Sequence, residues 1–277
     1  MVFELTIIIV LTILVGFYTI HIQSALFACF LFACFTLYWL PGFMFGSILE
    51  LVFPSVLTRN INFNTNTNTI SNTRNTQNQK QPIALTFDDV PFSIDSFRQL
   101  LYELRVHKAK ATFFVISSYS KTIEHFNLLV DAVKEGHELA NHGSSNSAHV
   151  LQSHVDFIKE FVTCNNFIID VYKEARVRLP KKLKYRPGCG FFNSRMLDFI
   201  NNYGNYSLAL GSVYPFDPII KSSVWNYWDL RLHINPGDIV ILHDRAWCPK
   251  TVSLLLDWMD NNNLQSVTLN NLFGNKR

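Results

Sequence analysis

Charge is what the first part of this chain lacks. Between Met1 and Thr58 the only charged residues are Glu4 and Glu50, and the first Lys or Arg is Arg59. A cleaved secretory signal opens on basic residues and carries an apolar stretch of about 7–15 residues. Here the basic opening is missing, and the apolar run extends from Leu5 to Leu40, broken by scattered Thr and by His21, Gln23 and Ser24. A membrane-spanning helix takes about 20 residues, so the run is too long for one crossing. Two short crossings with a turn near His21 to Ser24, or one crossing followed by an interfacial helix, both fit. Pro41-Gly42 ends the run, and Phe43 to Phe53 reads as a further apolar segment on or in the membrane. Residues 1–58 are therefore expected to form a retained hydrophobic membrane anchor.

Other scarcities narrow the class. Only 16% of the 277 residues are charged, against roughly 25% in an average soluble protein, because an uncharged segment is averaged with an ordinary domain. Lys+Arg total 24 and Asp+Glu 21, and the resulting net charge of +3 is too small to argue for a nucleic-acid partner. Glycine, at 11, is too rare for a collagen-like chain. Cys29 and Cys34 lie in the apolar run, which leaves Cys164, Cys189 and Cys248, too widely spaced for a disulfide framework or a zinc-binding pattern.

Asn60 to Gln79 is a polar, Asn/Thr-rich tract that cannot bury enough apolar surface to fold, so residues 59–80 are expected to be a linker. Residues 81–277 have the composition of a globular domain. Ile83 to Phe87 reads as a buried strand, Ile94 to Val106 as a helix, Thr112 to Ile116 as a strand and Thr122 to Lys134 as an amphipathic helix. Glu138 to Asn141 is a short strand and Val150 to Arg176 a long helix. Leu183 to Arg186 (strand), Ser194 to Asn202 (helix), Tyr206 to Leu210 (strand), Ile239 to Leu242 (strand), Thr251 to Asp260 (helix) and Ser266 to Leu269 (strand) complete the pattern. Strands alternating with helices imply parallel strands joined by crossovers, an α/β sheet or barrel.

In such folds chemistry gathers at the carboxyl ends of strands, and that is where the polar residues stand: Asp88-Asp89, His142, Arg186 and His243-Asp244. Adjacent carboxylates on an extended strand face opposite ways, but a turn at Asp89-Val90-Pro91 can bring both to one cleft. One could then bind a metal while the other serves as a base; equally, both could be turn residues before the helix near Ser93. His142 is a metal-ligand candidate or a structural histidine. Arg186, before Pro187-Gly188-Cys189-Gly190, could hold a carboxylate ionised, and the glycines let backbone N–H groups turn toward an oxyanion. His243 could protonate a leaving amine or bond a loop.

Taken in order, Thr86-Phe87-Asp88-Asp89, Gly136 to His142, Arg186 to Gly190 and Leu242-His243-Asp244 resemble the polysaccharide deacetylase family, the carbohydrate esterases with a NodB-homology domain. The resemblance covers about 190 residues, and Gly190 to Met196 with Ala209 to Pro215 looks like a eukaryotic branch. It implies a distorted (β/α) barrel with one divalent metal, usually zinc, that removes acetyl groups from sugar polymers such as chitin or peptidoglycan. By position, Asp88 would be the base, Asp89 and His142 metal ligands, and Arg186 the partner of Asp88. The Cys189 N–H would face the oxyanion, Leu242 would line the acetyl pocket and His243 would be the general acid. Asp217 would tune His243, and Trp225 would match the pocket aromatic. The family's second metal histidine lies four residues after the first, where this chain has Asn146; His149, seven residues on, could substitute if the loop folds back. Val90 stands where the family usually has Gly.

The expected function is thus a membrane-anchored, metal-dependent hydrolase of non-peptide C–N bonds acting on N-acetylated amino-sugar chains, with a carbohydrate substrate as its partner. A metal-free binding or scaffold protein of the same fold is the alternative that Asn146 favours. Hydrolysis of a smaller amide or nucleobase-like ring is the third. Arg59 and Arg74 after the anchor favour a cytoplasmic domain by the positive-inside rule, whereas extracellular polymers would require the opposite side.

Overall fold

The computed structural model describes residues 51–60 and 80–274. The described residues all belong to one compact unit, within 45–277. The expected anchor helices and most of the expected linker lie outside them. Among the described residues no helix is long and apolar enough to cross a membrane.

Seven parallel strands form one curled sheet: β1 (Gln81–Val90), β2 (Ala111–Val115), β3 (Glu138–Asn141), β4 (Leu183–Tyr185), β5 (Tyr206–Leu208), β6 (Ile239–His243) and β7 (Leu264–Ser266). The order is β5-β4-β3-β2-β1-β6, with β7 pairing the opening residues of β1. β1 has parallel partners on both sides and is buried from Ile83 onward, which is why its sequence is a continuous apolar run. Parallel neighbours need crossovers, supplied by α1 (Ile94–Val106), α2 (Ile123–Lys134), α3 (His154–Ala175), α4 (Ser194–Asn202), α5 (Ser223–His233) and α6 (Cys248–Asn261), and α7 (Leu269–Phe273) closes the order. Ser93, Thr122, Ser153, Asn193, Ser222 and Thr268 each cap a helix by accepting a bond from its first turn.

Period-two alternation divides each strand between two apolar regions. Leu85, Phe87, Phe113, Val115, Leu139, Val240 and Leu242 pack outward against the helices. Ala84, Phe114, Ala140, Ala209 and Ile239 face inward, where Leu269 and Leu272 of α7 join them. Glu138, buried at the start of β3, accepts from the Asn270 backbone N–H and side chain, and Thr112 Oγ1 accepts from Leu269 N–H. The amino-terminal end of the sheet is therefore plugged, and the carboxyl end is left for a cleft.

Two differences from the sequence reading have physical causes. The strand expected at Ser266 to Leu269 is instead the end of β7 followed by a turn and α7, because Thr268 caps a helix there. α5 carries no continuous apolar stripe; only Asn226 and Leu230 are buried, so periodicity did not reveal it.

The stretch spanning the boundary expected at residue 58 packs onto the sheet. Val56, Leu57 and Thr58 are fully buried. Leu57 N–H donates to the Leu208 carbonyl, Leu210 N–H to the Leu57 carbonyl, and Asn60 N–H to the Gly237 carbonyl. This segment therefore runs from the β5 edge to the start of β6. Residues 209–213 cross beside it, with Ile241 N–H bonding the Val213 carbonyl. Between them these segments cover the gap that the open sheet leaves. Leu57→Ala is expected to destabilise the protein by about 2–4 kcal/mol through lost burial and a residual cavity, read as a lower urea midpoint. An unchanged midpoint would mean that the segment only leads into the domain.

Candidate active site

The cleft at the carboxyl end of the sheet has a volume of about 370 Å³ and is lined by Asp88, Asp89, His142, Asn146, Arg186, Cys189 and His243, among others. Its rear wall follows from the alternation. Thr86 and Asp88 continue the inward row of Ala84, and Arg186, just past β4, reaches across to them. Its Nη1 donates to Thr86 Oγ1 at 2.9 Å and to Asp88 Oδ1 at 2.6 Å. Its Nε and Nη2 bond the carbonyls of Ala209 and Leu210, and the guanidinium lies 3.9 Å above the Phe114 ring. Burial alone would raise the Asp88 pKa, but the Arg186 charge, assisted by His142 and His243, reverses this and holds it below the usual carboxylate value.

Asp89 would face away from the cleft if β1 stayed extended. Its φ of +62° and the irregular β1–β2 register between Phe87 and Val90 turn it back. His142 Nε2 stands 3.7 Å from Asp89 Oδ1 and 3.8 Å from Asp88 Oδ2. His142 Nδ1 lies 2.7 Å from the Arg186 carbonyl, so Nδ1 donates there and Nε2 is turned toward the carboxylates. That orientation is the outer-shell arrangement typical of a metal-binding imidazole.

On the facing side, Asp217 grips His243 through two atoms: Oδ1 meets Nδ1 at 2.9 Å and Oδ2 accepts the His243 backbone N–H at 2.9 Å. Burial pushes the His243 pKa down, but the hydrogen bond and charge of Asp217, with Asp88 and Asp89 adding, raise it above the ordinary histidine value. Asp244 turns away from the cleft. It accepts from Phe92 N–H and Ser96 Oγ, pinning the β1–α1 loop, and burial raises its pKa to about 6.

Three expected site residues stand elsewhere. Leu242 is fully buried in the outer core, because alternation on β6 sends Ile241 and His243 inward and Leu242 outward. Trp225 is 72% exposed on α5 and does not line the cleft. Tyr214 lines it instead, its ring 5.8 Å from that of His243. His149 is buried but is not part of the cleft wall: its Nδ1 accepts from Tyr185 Oη at 2.8 Å and from Gly188 N–H at 2.9 Å. Its Nε2 points toward Glu160 Oε2, 3.5 Å away, in a space that a Cβ on Gly143 would fill. The ring is thus committed to holding the Gly188 turn, and burial lowers its pKa to about 4. Asn146, by contrast, does line the cleft.

Tyr214 and Arg245 are among the lining residues that were not anticipated. Tyr214 sits within the stretch already noted at 209–215. Arg245, two positions beyond His243, pairs with Asp89 Oδ2; its spacing on the same alternation was the available signal.

The polysaccharide deacetylase family model matches residues 75–208. The peptidoglycan-N-acetylglucosamine deacetylase of Bacillus cereus is 33% identical over 172 residues, covering 60% of this chain and 74% of that protein. The chitooligosaccharide deacetylase of Sinorhizobium fredii is 32% identical over 171 residues, covering 60% and 73%. Among solved structures, the peptidoglycan deacetylase PdaC from Bacillus subtilis superposes with a TM-score of 0.60 at 24% identity, covering 70% of this chain and 90% of that one. A CE4 family pseudoenzyme from Bacillus anthracis gives 0.62 at 17% identity over 72% and 68%. The α/β fold, its strand-end cleft and these matches place the chain among the carbohydrate-modifying hydrolases. It belongs to the polysaccharide deacetylase family.

Family members generally depend on a metal. Among the described residues no group of three or more His, Cys, Asp or Glu side chains is placed to hold one. Asp89 and His142 nevertheless fit a divalent cation, since His142 Nε2 faces two carboxylate oxygens at 3.7 and 3.8 Å, too far for direct hydrogen bonds. Asn146 would add a carbonyl oxygen, a poorer ligand than imidazole for zinc. Asn146→His is expected to tighten zinc binding tenfold or more in a chelator competition titration. His149→Gln should leave the metal affinity within twofold while lowering the melting temperature. The reverse pattern would return His149 to the ligand set.

Proposed function

We propose that this chain hydrolyses the acetamido groups of N-acetylated amino sugars in polymers or oligomers, chitin-like chains and peptidoglycan being the nearest chemistries. The carrying observation is the convergence in one cleft of an ionised carboxylate held by Arg186 and, opposite it, an imidazole held by Asp217. The names of the Bacillus cereus and Sinorhizobium relatives support the substrate class. Asp89, His142 and Asn146 would hold the cation, zinc being the metal proposed. When bound, such an ion supplies Lewis-acid polarisation of the acetyl carbonyl and acidification of water.

The chain's own groups then move the protons. Asp88 accepts one from the attacking water as its oxygen bonds to the acetyl carbon. Gly188 N–H is engaged by His149 and Gly190 N–H by the Pro187 carbonyl, which leaves the amide of Cys189 to face the oxyanion. His243 gives its Nε2 proton to the departing nitrogen as the C–N bond breaks, yielding acetate and a free amine. Tyr214 and Leu210 form an apolar-edged wall suited to the acetyl methyl. A scaffold role has one observation in its favour, the Asn146 carbonyl where an imidazole would bind more tightly. The pseudoenzyme of the same fold shows that architecture alone does not decide between the two.

We further propose that the apolar run ahead of residue 58 fixes the enzyme to a membrane, on either face, and that Gly190 to Met196 ally it with a eukaryotic branch of the family.

Zinc-loaded full-length protein should release acetate from N-acetylglucosamine oligomers, and Asp88→Asn should lower kcat at least 100-fold. Folded, metal-loaded protein inactive on both chito-oligosaccharides and peptidoglycan would favour the scaffold. Because the charge and hydrogen bond of Asp217 keep His243 protonated to higher pH, the alkaline limb of kcat/KM reports loss of that proton. Asp217→Asn removes the strongest of the interactions that oppose burial, so this limb should move to lower pH. A limb that stays in place assigns the acid to another group.

A further inference from the structure

Each cleft carboxylate has its own guanidinium. Asp88 is paired with Arg186 and Asp89 with Arg245, so the charge of both acids is balanced by the chain itself. The two pairs differ in their freedom to move. The Arg186 side chain is 2% exposed and bonded to four oxygen atoms. The Arg245 side chain is 16% exposed and sits at the rim. There its Nη1 bonds the Asp244 carbonyl at 2.9 Å and its Cζ lies 4.2 Å above the Phe92 ring. Phe92 is itself half exposed, and its backbone N–H is tied to Asp244 at 2.7 Å.

A divalent ion on Asp89 and His142 would bring two further positive charges against that guanidinium, and like charges at such range repel strongly in a partly desolvated cleft. Ion and guanidinium also compete for the same carboxylate. We propose that Arg245 is a displaceable counter-ion latch on Asp89: it keeps the metal-free cleft charge-balanced and folded, and it must swing off the carboxylate before a divalent cation binds. The apparent affinity is then the intrinsic affinity reduced by the fraction of molecules in which Asp89 is free. With Asn146 as a weak third donor, the site would fill only above a threshold of free metal. The guanidinium already lies over the Phe92 face, a contact that does not depend on its bond to Asp89.

The inference rests on Asp89 and His142 as the cation site, and not on which acetylated sugar is cleaved. Its test is zinc and cobalt affinity of the full-length protein, by chelator competition, for the native chain, Arg245→Gln and Arg245→Met. Circular dichroism establishes which variants are folded. A folded variant that binds metal tenfold or more tightly than the native chain supports the latch; equal or weaker binding overturns it. If neither variant folds, the native chain decides through phenylglyoxal labelling of Arg245, read by mass spectrometry. Zinc should accelerate labelling at least threefold, and an unchanged rate overturns the proposal. No metal bound by native or variant protein at millimolar concentration removes the cation site and the latch together. Tight binding without acetate release removes only the deacetylase reading.

Discussion

The cleft depends on one buried ion pair. Arg186 places a permanent charge in the interior of the curled sheet, where an unpaired guanidinium would be costly. It is tolerated because Asp88, Thr86, the carbonyls of Ala209 and Leu210 and the face of Phe114 surround it. Those partners come from β1, β2 and the segment after β5, so the charge ties the end of β4 to β1, a strand that is not its neighbour in the sheet. Burial lowers the Arg186 pKa and Asp88 opposes that shift. The same contact that orders the sheet's interior keeps Asp88 ionised.

Around that pair the site is built from opposed electrostatic environments. Asp88 is held charged at neutral pH by the guanidinium, while His243, clamped by Asp217, keeps a proton that burial alone would strip. Two titratable groups pushed in opposite directions across one cleft are what a base and an acid acting in sequence require. Asp244 shows the contrast. It is one residue from His243 and more deeply buried, yet its carboxylate serves the loop that carries Phe92, and so it shapes the rim without touching the chemistry.

Much of this was legible in the sequence. The helices Ile94–Val106 and Ser194–Asn202 and the strand Glu138–Asn141 have the bounds read from the sequence pattern. The strand-end polar residues Asp88, Asp89, His142, Arg186 and His243 do meet. What failed did so for identifiable reasons. Leu242 was placed in the pocket by likeness of position, although alternation next to an inward His243 sends it outward. His149 was considered as a ligand because a histidine so near His142 invites that reading; its hydrogen bonds to Tyr185 and Gly188 depend on residues more than 30 positions away. The segment 56–58 merged with the apolar run before it, since burial in a core and burial in a bilayer select the same side chains.

The sequence alone determined the alternation of strand and helix and the kind of chemistry stored at the strand ends, because these are set by neighbours within a few residues. Only the tertiary structure decided that Asp89 turns back into the cleft through its own left-handed backbone, and that Arg245 shares it with His142. Those outcomes depend on backbone torsions and on contacts between residues up to 156 positions apart, and no local pattern records them.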